Sequence, residues 1–150
     1  MTARLRRDEA GQFAGVEVLP FGLLVFVVGV LVIANAWAVI DAKLAVVSAA
    51  REATRAYVES PPDSDPVGRA EAAARAAIEA AGRDPSRVTI SAVEADFSRC
   101  GQVRFEVQYP IPRLTVPFLG GYGEGFTATG RHGEIVDPYR SGVPSGSRRC

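Results

Sequence analysis

The chain is poor in the side chains that most enzymes and metal sites depend on. It has one histidine, His132, and two cysteines, Cys100 and Cys150, with no CxxC pair. A single imidazole does not build the usual zinc site. His132 stands between Arg131 and Gly133, and no serine or cysteine nucleophile occurs in a recognisable setting. It reads as a surface strand residue rather than a catalytic base. Clustered carboxylates for acid/base work are also missing, so neither an enzyme nor a cofactor is expected. The 17 basic and 17 acidic residues cancel to a net charge of zero. That balance argues against a nucleic-acid partner. The glycine-rich GGYGEG, residues 120–125, has no apolar strand leading directly into it and no helix after it. A turn between strands fits better than a phosphate loop.

Another absence is local. From Val18 to Ile40 the chain reads VLPFGLLVFVVGVLVIANAWAVI without one charged side chain, between Glu17 and Asp41. As a helix these residues extend roughly 34 Å, against a hydrocarbon core of ~30 Å. A rod this apolar on every side is not readily wrapped by so short a chain. Its partner is expected to be the lipid bilayer, crossed once. Pro20 falls at the start of the run, where a missing amide donor does least harm. Asn35 is the one strongly polar side chain within it.

Arg4, Arg6 and Arg7 precede the run, and past it only Lys43 appears before Arg51. Basic residues hold their end of a first membrane helix in the cytoplasm. The expected location is therefore the cell membrane, with residues 1–11 a cytoplasmic basic leader and the C-terminal part outside. There Cys100 and Cys150 can pair if the compartment is oxidising; otherwise they stay thiols. Such a loop of ~50 residues would contribute about 4 kcal/mol in the chain-entropy model.

The helical spacing continues past Asp41, with Leu44, Val47, Ala50 or Arg51, Thr54 and Val58 three or four apart. One rod is expected from about Ala14 to Glu59, within a segment 12–60 that is membrane-spanning first and amphipathic after. Its outer half offers an Ala/Val stripe for packing and leaves Arg51, Glu52 and Arg55 to water. Pro61 and Pro62 end it.

Residues 61–150 read as a small extracytoplasmic domain. Asp65-Pro66 suits an N-cap and first helical position, opening a short helix over Pro66 to Ala81 that Gly82 closes. The period then changes to two. Val88, Ile90 and Ala92 mark one half-buried strand; Val103, Phe105, Val107 and Tyr109 mark a clearer second. GFTATGRHGEIV reads as a third, interrupted by Gly130 and Gly133. Between the second and third, Ile111, Leu114, Val116, Phe118 and Leu119 lie in an apolar loop that either covers the core or presents a contact patch. The tail from Asp137 is Gly/Ser/Pro-rich and expected to be mobile unless Cys150 is tied to Cys100. The fold class is α+β: a long N-terminal helix, a short helix and about three antiparallel strands.

A combination of residues carries a family resemblance. The basic Arg4 to Arg7, Gly11, Glu17, Pro20 in an apolar helix and the stretch Ser48-Ala-Ala-Arg-Glu-Ala-Thr-Arg55 resemble TadE-like minor pilins of Tad (Flp, type IVc) pilus systems. Tyr109-Pro110 and the ending Val136-Asp-Pro-Tyr-Arg140 add softer support. The resemblance implies a pilin-like α+β fold, and a structural subunit that packs with other pilus and pseudopilin subunits. It also implies a prepilin peptidase that cuts before the apolar segment, after a glycine. A cut after Gly11 makes Glu17 the sixth mature residue; a cut after Gln12 makes it the fifth, the family position. There Glu17 would answer a neighbouring subunit's new amino terminus. A carboxylate at the bilayer centre is unfavourable by ~2.5–3.5 kcal/mol, less near the interface. Glu17 either finds such a partner or snorkels to the headgroups.

A different class of function competes. Ala34-Asn35-Ala36 forms an A-x-A-like site after an apolar run, as in a secretory signal. Cleavage after Ala36 would release a soluble domain beginning at Trp37, a secreted binding module unrelated to pili; a membrane-anchored module is the uncleaved form of the same idea.

Overall fold

The computed structural model describes residues 18–111, 114–116, 120–122, 125–146 and 149–150, with only the backbone described at 114–116 and 120–122. The elements in chain order are α1 (Val18–Val58), α2 (Pro66–Ala80), a 3-10 turn (Pro85–Arg87), β1 (Thr89–Ala95), β2 (Gln102–Ile111), β3 (Leu114–Val116), β4 (Gly120–Tyr122) and β5 (Phe126–Ile135). The fold class is α+β, as the sequence implies. The chain divides into one compact unit up to Trp37 and a second from Ala38 onward. Leader residues Arg4 to Gly11, with Gln12 and Glu17, lie outside the described residues.

In the second unit, β1, β2 and β5 form an antiparallel sheet in the order β1-β2-β5. The inward face of β2 is Val103, Phe105, Val107, Tyr109 and Ile111, all buried. Residues of α1 from Ala42 onward pack on the same core through Ala42, Ala45, Val46, Ala49, Ala50, Ala53, Thr54 and Tyr57. Of the expected stripe, Ala50 and Thr54 are buried and Val58 packs against the core, and Arg51 faces water as expected; Leu44 departs from it, being 65% exposed. Alanine and valine recur at helical spacing in two phases here, and the smaller one faces the sheet because β5 comes too close for leucine. At Gly130 an added Cβ would lie 2.4 Å from the Val46 carbonyl oxygen and 2.6 Å from the Val47 nitrogen. Gly130 does not interrupt the third strand; it admits the helix backbone. Thr54 Oγ1 donates to the Ala50 carbonyl at 2.7 Å, which satisfies a fully buried hydroxyl within the helix.

The helix α2 forms where its caps demand. Asp65 accepts from the Gly68 amide at 3.0 Å, Pro66 opens the first turn, and Gly82 follows the end with φ +71°. Its Ala70, Ala74 and Ile78 are buried in the common core. Tyr57 joins the layers, edge-on to Phe97 at 5.4 Å between ring centroids and tilted against Phe105 at 5.6 Å.

Two strand expectations change. Of the expected inward row Val88 is buried and Ile90 packs against the core, but Ala92 is exposed: β1 is an edge strand with a bulge between Ala92 and Glu94, and Val93 is 53% exposed. The bulge ends the period-two pattern that implies a half-buried strand. The apolar loop holds a small antiparallel pair, β3 with β4, in which Leu114 faces Tyr122 and Val116 faces Gly120. Both strands are three residues long, too short for periodicity to register. Gly120 and Gly121 are thus strand residues, while Phe118 and Leu119 lie outside the described residues.

Cys100 and Cys150 form a disulfide, with Cα atoms 5.1 Å apart. The tail is held as well: Val136 and Val143 are buried, Arg99 donates its amide to the Pro144 carbonyl at 2.9 Å, and the Arg140 guanidinium donates to the Ser60 carbonyl beyond α1.

Candidate functional site

The part of α1 that precedes the second unit is built for an apolar surround. From Val18 to Trp37 its large side chains face outward: Leu19 is 74% exposed, Ile33 69% and Trp37 71%. Nothing in its most apolar 18-residue window is buried. Leaving this many valines, leucines and phenylalanines in water is unfavourable by about 25 cal/mol per Å². The helix is long and apolar enough to cross a membrane once, and a signal sequence near an N-terminus meets the same criterion.

Two residues depart from uniform apolarity. Pro20 is the third described residue of the helix. Asn35 turns its amide back on the helix and donates to the Leu31 carbonyl at 2.7 Å. The bond covers a polar group that lipid would otherwise leave unmet. Ala34-Asn35-Ala36 lies inside α1, which runs on without a break. Of the expected assembly residues, Pro20 is therefore placed; Glu17 and the processing residues Gly11 and Gln12 belong to the undescribed leader.

At Asp41 the charges resume, and each one near it has a partner in the second unit. Arg83, in the loop after α2, donates to Asp41 at 2.6 Å and lies 5.3 Å above the Tyr109 ring. Arg87 approaches the same ring at 5.6 Å. Lys43, the chain's single lysine, donates to the Thr129 carbonyl of β5. Ile40 and Leu44 remain exposed at 53% and 65%. An apolar hollow of about 450 Å³ opens beside them, lined by Val39, Lys43, Ile111, Phe126, Ala128 and Thr129. Sequence reasoning passes over Phe126 and Arg83. The signal for Phe126 is its place in the inward register of β5, two residues before Ala128 and four before Gly130.

The outward face of the sheet is a charged lattice. Glu106 accepts from Gln108 and from Arg131, and these two donors hold its carboxyl below the usual carboxylate range. On the opposite face, across from the buried Phe105 and Val103, half-buried His132 has its Nε2 3.2 Å from Glu134. Among the described residues, no three or more His, Cys, Asp or Glu side chains converge where a metal ion would sit.

Set against known proteins, the chain matches no family model, and neither a curated protein nor a solved structure proves similar to it.

Proposed function

We propose that this chain is a structural subunit of a membrane-anchored assembly, of the TadE-like minor pilin kind, and that its work is helix packing and subunit recognition. The observation that carries the reading is α1. One unbroken helix is apolar and exposed over its first part, and from Ala42 it forms the spine of a folded α+β unit. An anchor cut away from a passenger has no need of such continuity. Exposed Leu44 extends the apolar surface one turn past Ile40, the last residue of the run, where a helix of a neighbouring subunit would pack. The basic leader then lies in the cytoplasm and the α+β unit outside, where a disulfide persists. In lipid, an ammonium from another subunit and the Glu17 carboxylate relieve one another's burial and fix axial register. Glu17→Ala is expected to insert normally into the membrane and to lose co-purification with other pilus subunits. Unchanged co-assembly would defeat the pilin reading.

One observation favours a second reading, a secreted binding module. Every buried residue of α1 lies after Ala36, and the second compact unit begins at Ala38. Cleavage after Ala36 would therefore release the core complete. The mass of the mature chain separates the two. Full length, or a start just past Gly11 or Gln12, supports the anchored subunit; a start at Trp37 supports the secreted module.

A further inference from the structure

The inward row of β5 runs Phe126, Ala128, Gly130, and the first of these is anomalous. Ala128 is buried and Gly130 lies against the backbone of α1, yet Phe126, on the same face, is 70% exposed. Its cross-strand partner Ile111 is the last buried residue of the β2 row. Both line the hollow that Val39 shares, and Val39 is the next-to-last residue of the charge-free run. The core of the α+β unit thus opens at one end, and it opens beside the very turn of α1 where the apolar run stops. Lys43 borders the same hollow one turn further on, at the depth where a lysine stem stays in apolar surroundings while its ammonium reaches polar ones. Phenylalanine with a flanking cation is the composition of a membrane-surface contact.

We propose that this end of the sheet, with Phe126 at its tip, beds into the headgroup/acyl boundary of the bilayer that α1 crosses, so that the α+β unit rests on the membrane. The occupant of the hollow is lipid. The inference rests on reading α1 as a membrane span, because the end of the apolar run fixes the depth of Val39 and hence of the hollow that Val39 lines. A surface contact of this kind fixes the tilt at which the unit meets neighbouring subunits.

The test uses the full chain, reconstituted into phosphatidylcholine vesicles whose acyl chains carry bromine near the headgroup. Bromine quenches tryptophan on contact. Trp37 is the only native tryptophan, so Phe126→Trp and Tyr139→Trp are each placed in a Trp37→Phe background. Tyr139 is 91% exposed and lies beside the Arg140 that binds Ser60, beyond the far end of α1. The expected result is a blue-shifted emission from the Phe126→Trp variant that is lost in brominated vesicles, and an emission from the Tyr139→Trp variant that is not. Far-ultraviolet circular dichroism like that of wild type shows that each variant folds. If the Phe126→Trp variant is unquenched while Trp37 of the wild-type chain is quenched, the contact is overturned and the span stands. If Trp37 too is unquenched, the span itself fails. Quenching of both variants overturns the end-on contact in favour of general adsorption. A Phe126→Trp emission insensitive to bromine but shielded from aqueous acrylamide assigns the hollow to a protein partner and overturns the lipid.

Discussion

Gly130 shows how one missing methyl sets the geometry of a whole interface. The helix backbone at Val46 and Val47 approaches β5 so closely that any side chain at 130 must push the layers apart. Overpacking of this kind costs about 1–3 kcal/mol, and here the obstacle is backbone, which yields less readily than a side chain. Gly130→Ala is expected at the upper end of that range, read as a lowered unfolding midpoint of the detergent-solubilised chain. At Gly133, three residues on, an added Cβ would lie 3.1 Å from the Val103 carbonyl oxygen and in ordinary contact with the Arg104 side chain at 3.7 Å. There the strand preference for alanine over glycine offsets the crowding, and Gly133→Ala should stay within about 1 kcal/mol of wild type. The charged face makes a pH prediction. Folding holds the Glu106 carboxyl below its ordinary 4.5, first through Gln108 and then through Arg131. The folded state therefore favours the ionised form. Its contribution is full above the unfolded value, and it is lost as pH falls through the depressed folded one. Stability should begin to decline below about pH 4.5, and Glu106→Gln should make that decline shallower by lowering the melting temperature near neutrality, where the ionised carboxylate contributes in full, and not at low pH.

Elements whose ends are specified locally are legible without coordinates. The helix α2 is such a case, since Asp65, Pro66 and Gly82 sit within a residue of the caps they form. Asp65→Ala should cost about 1 kcal/mol and fray the first turn, visible as faster amide exchange at Gly68 and its neighbours. β2 is equally plain, because a central strand buries every second residue. The elements that sequence misplaces depend on what lies across from them. Ala45 and Ala49 are buried while Leu44, which the expected stripe includes, is exposed, and the close approach of β5 to the backbone at Val46 and Val47 is what leaves room for alanine there. The same contact explains Gly130, which by itself reads as a strand breaker. The alternation of β1 suggests half-burial, but a bulge at the sheet's edge is a property of pairing, not of period. As for the candidate site, the apolar run is evident from composition, whereas Phe126 becomes conspicuous only when its inward neighbours prove buried and it does not.

At the scale of the molecule, the disulfide closes the fold that the sheet leaves open. The β1–β2 turn and the tail already clasp one another, through the Cys100 amide on the Val136 carbonyl at 3.1 Å and the Val136 amide on the Gly101 carbonyl at 3.0 Å. The cross-link adds to these by denying the unfolded chain a loop of 50 residues' separation, worth about 4 kcal/mol in the chain-entropy model. Cys100 holds φ at +61°, a left-handed backbone unfavourable for any residue with a Cβ by roughly 1–2 kcal/mol. The turn is thus strained at the residue that anchors the tail, and two double variants separate strain from cross-linking. Cys100→Ser with Cys150→Ser removes the bond and leaves the strained φ in place. Cys100→Gly with Cys150→Ser removes the bond and relieves the strain. Both should unfold at lower denaturant than the oxidised protein, by an amount close to that caused by reducing wild type. The glycine variant should recover about 1 kcal/mol of the loss. Equal midpoints for the two variants would mean that the turn relaxes once the tail is released, placing the left-handed φ as a consequence of the cross-link rather than a feature of the turn.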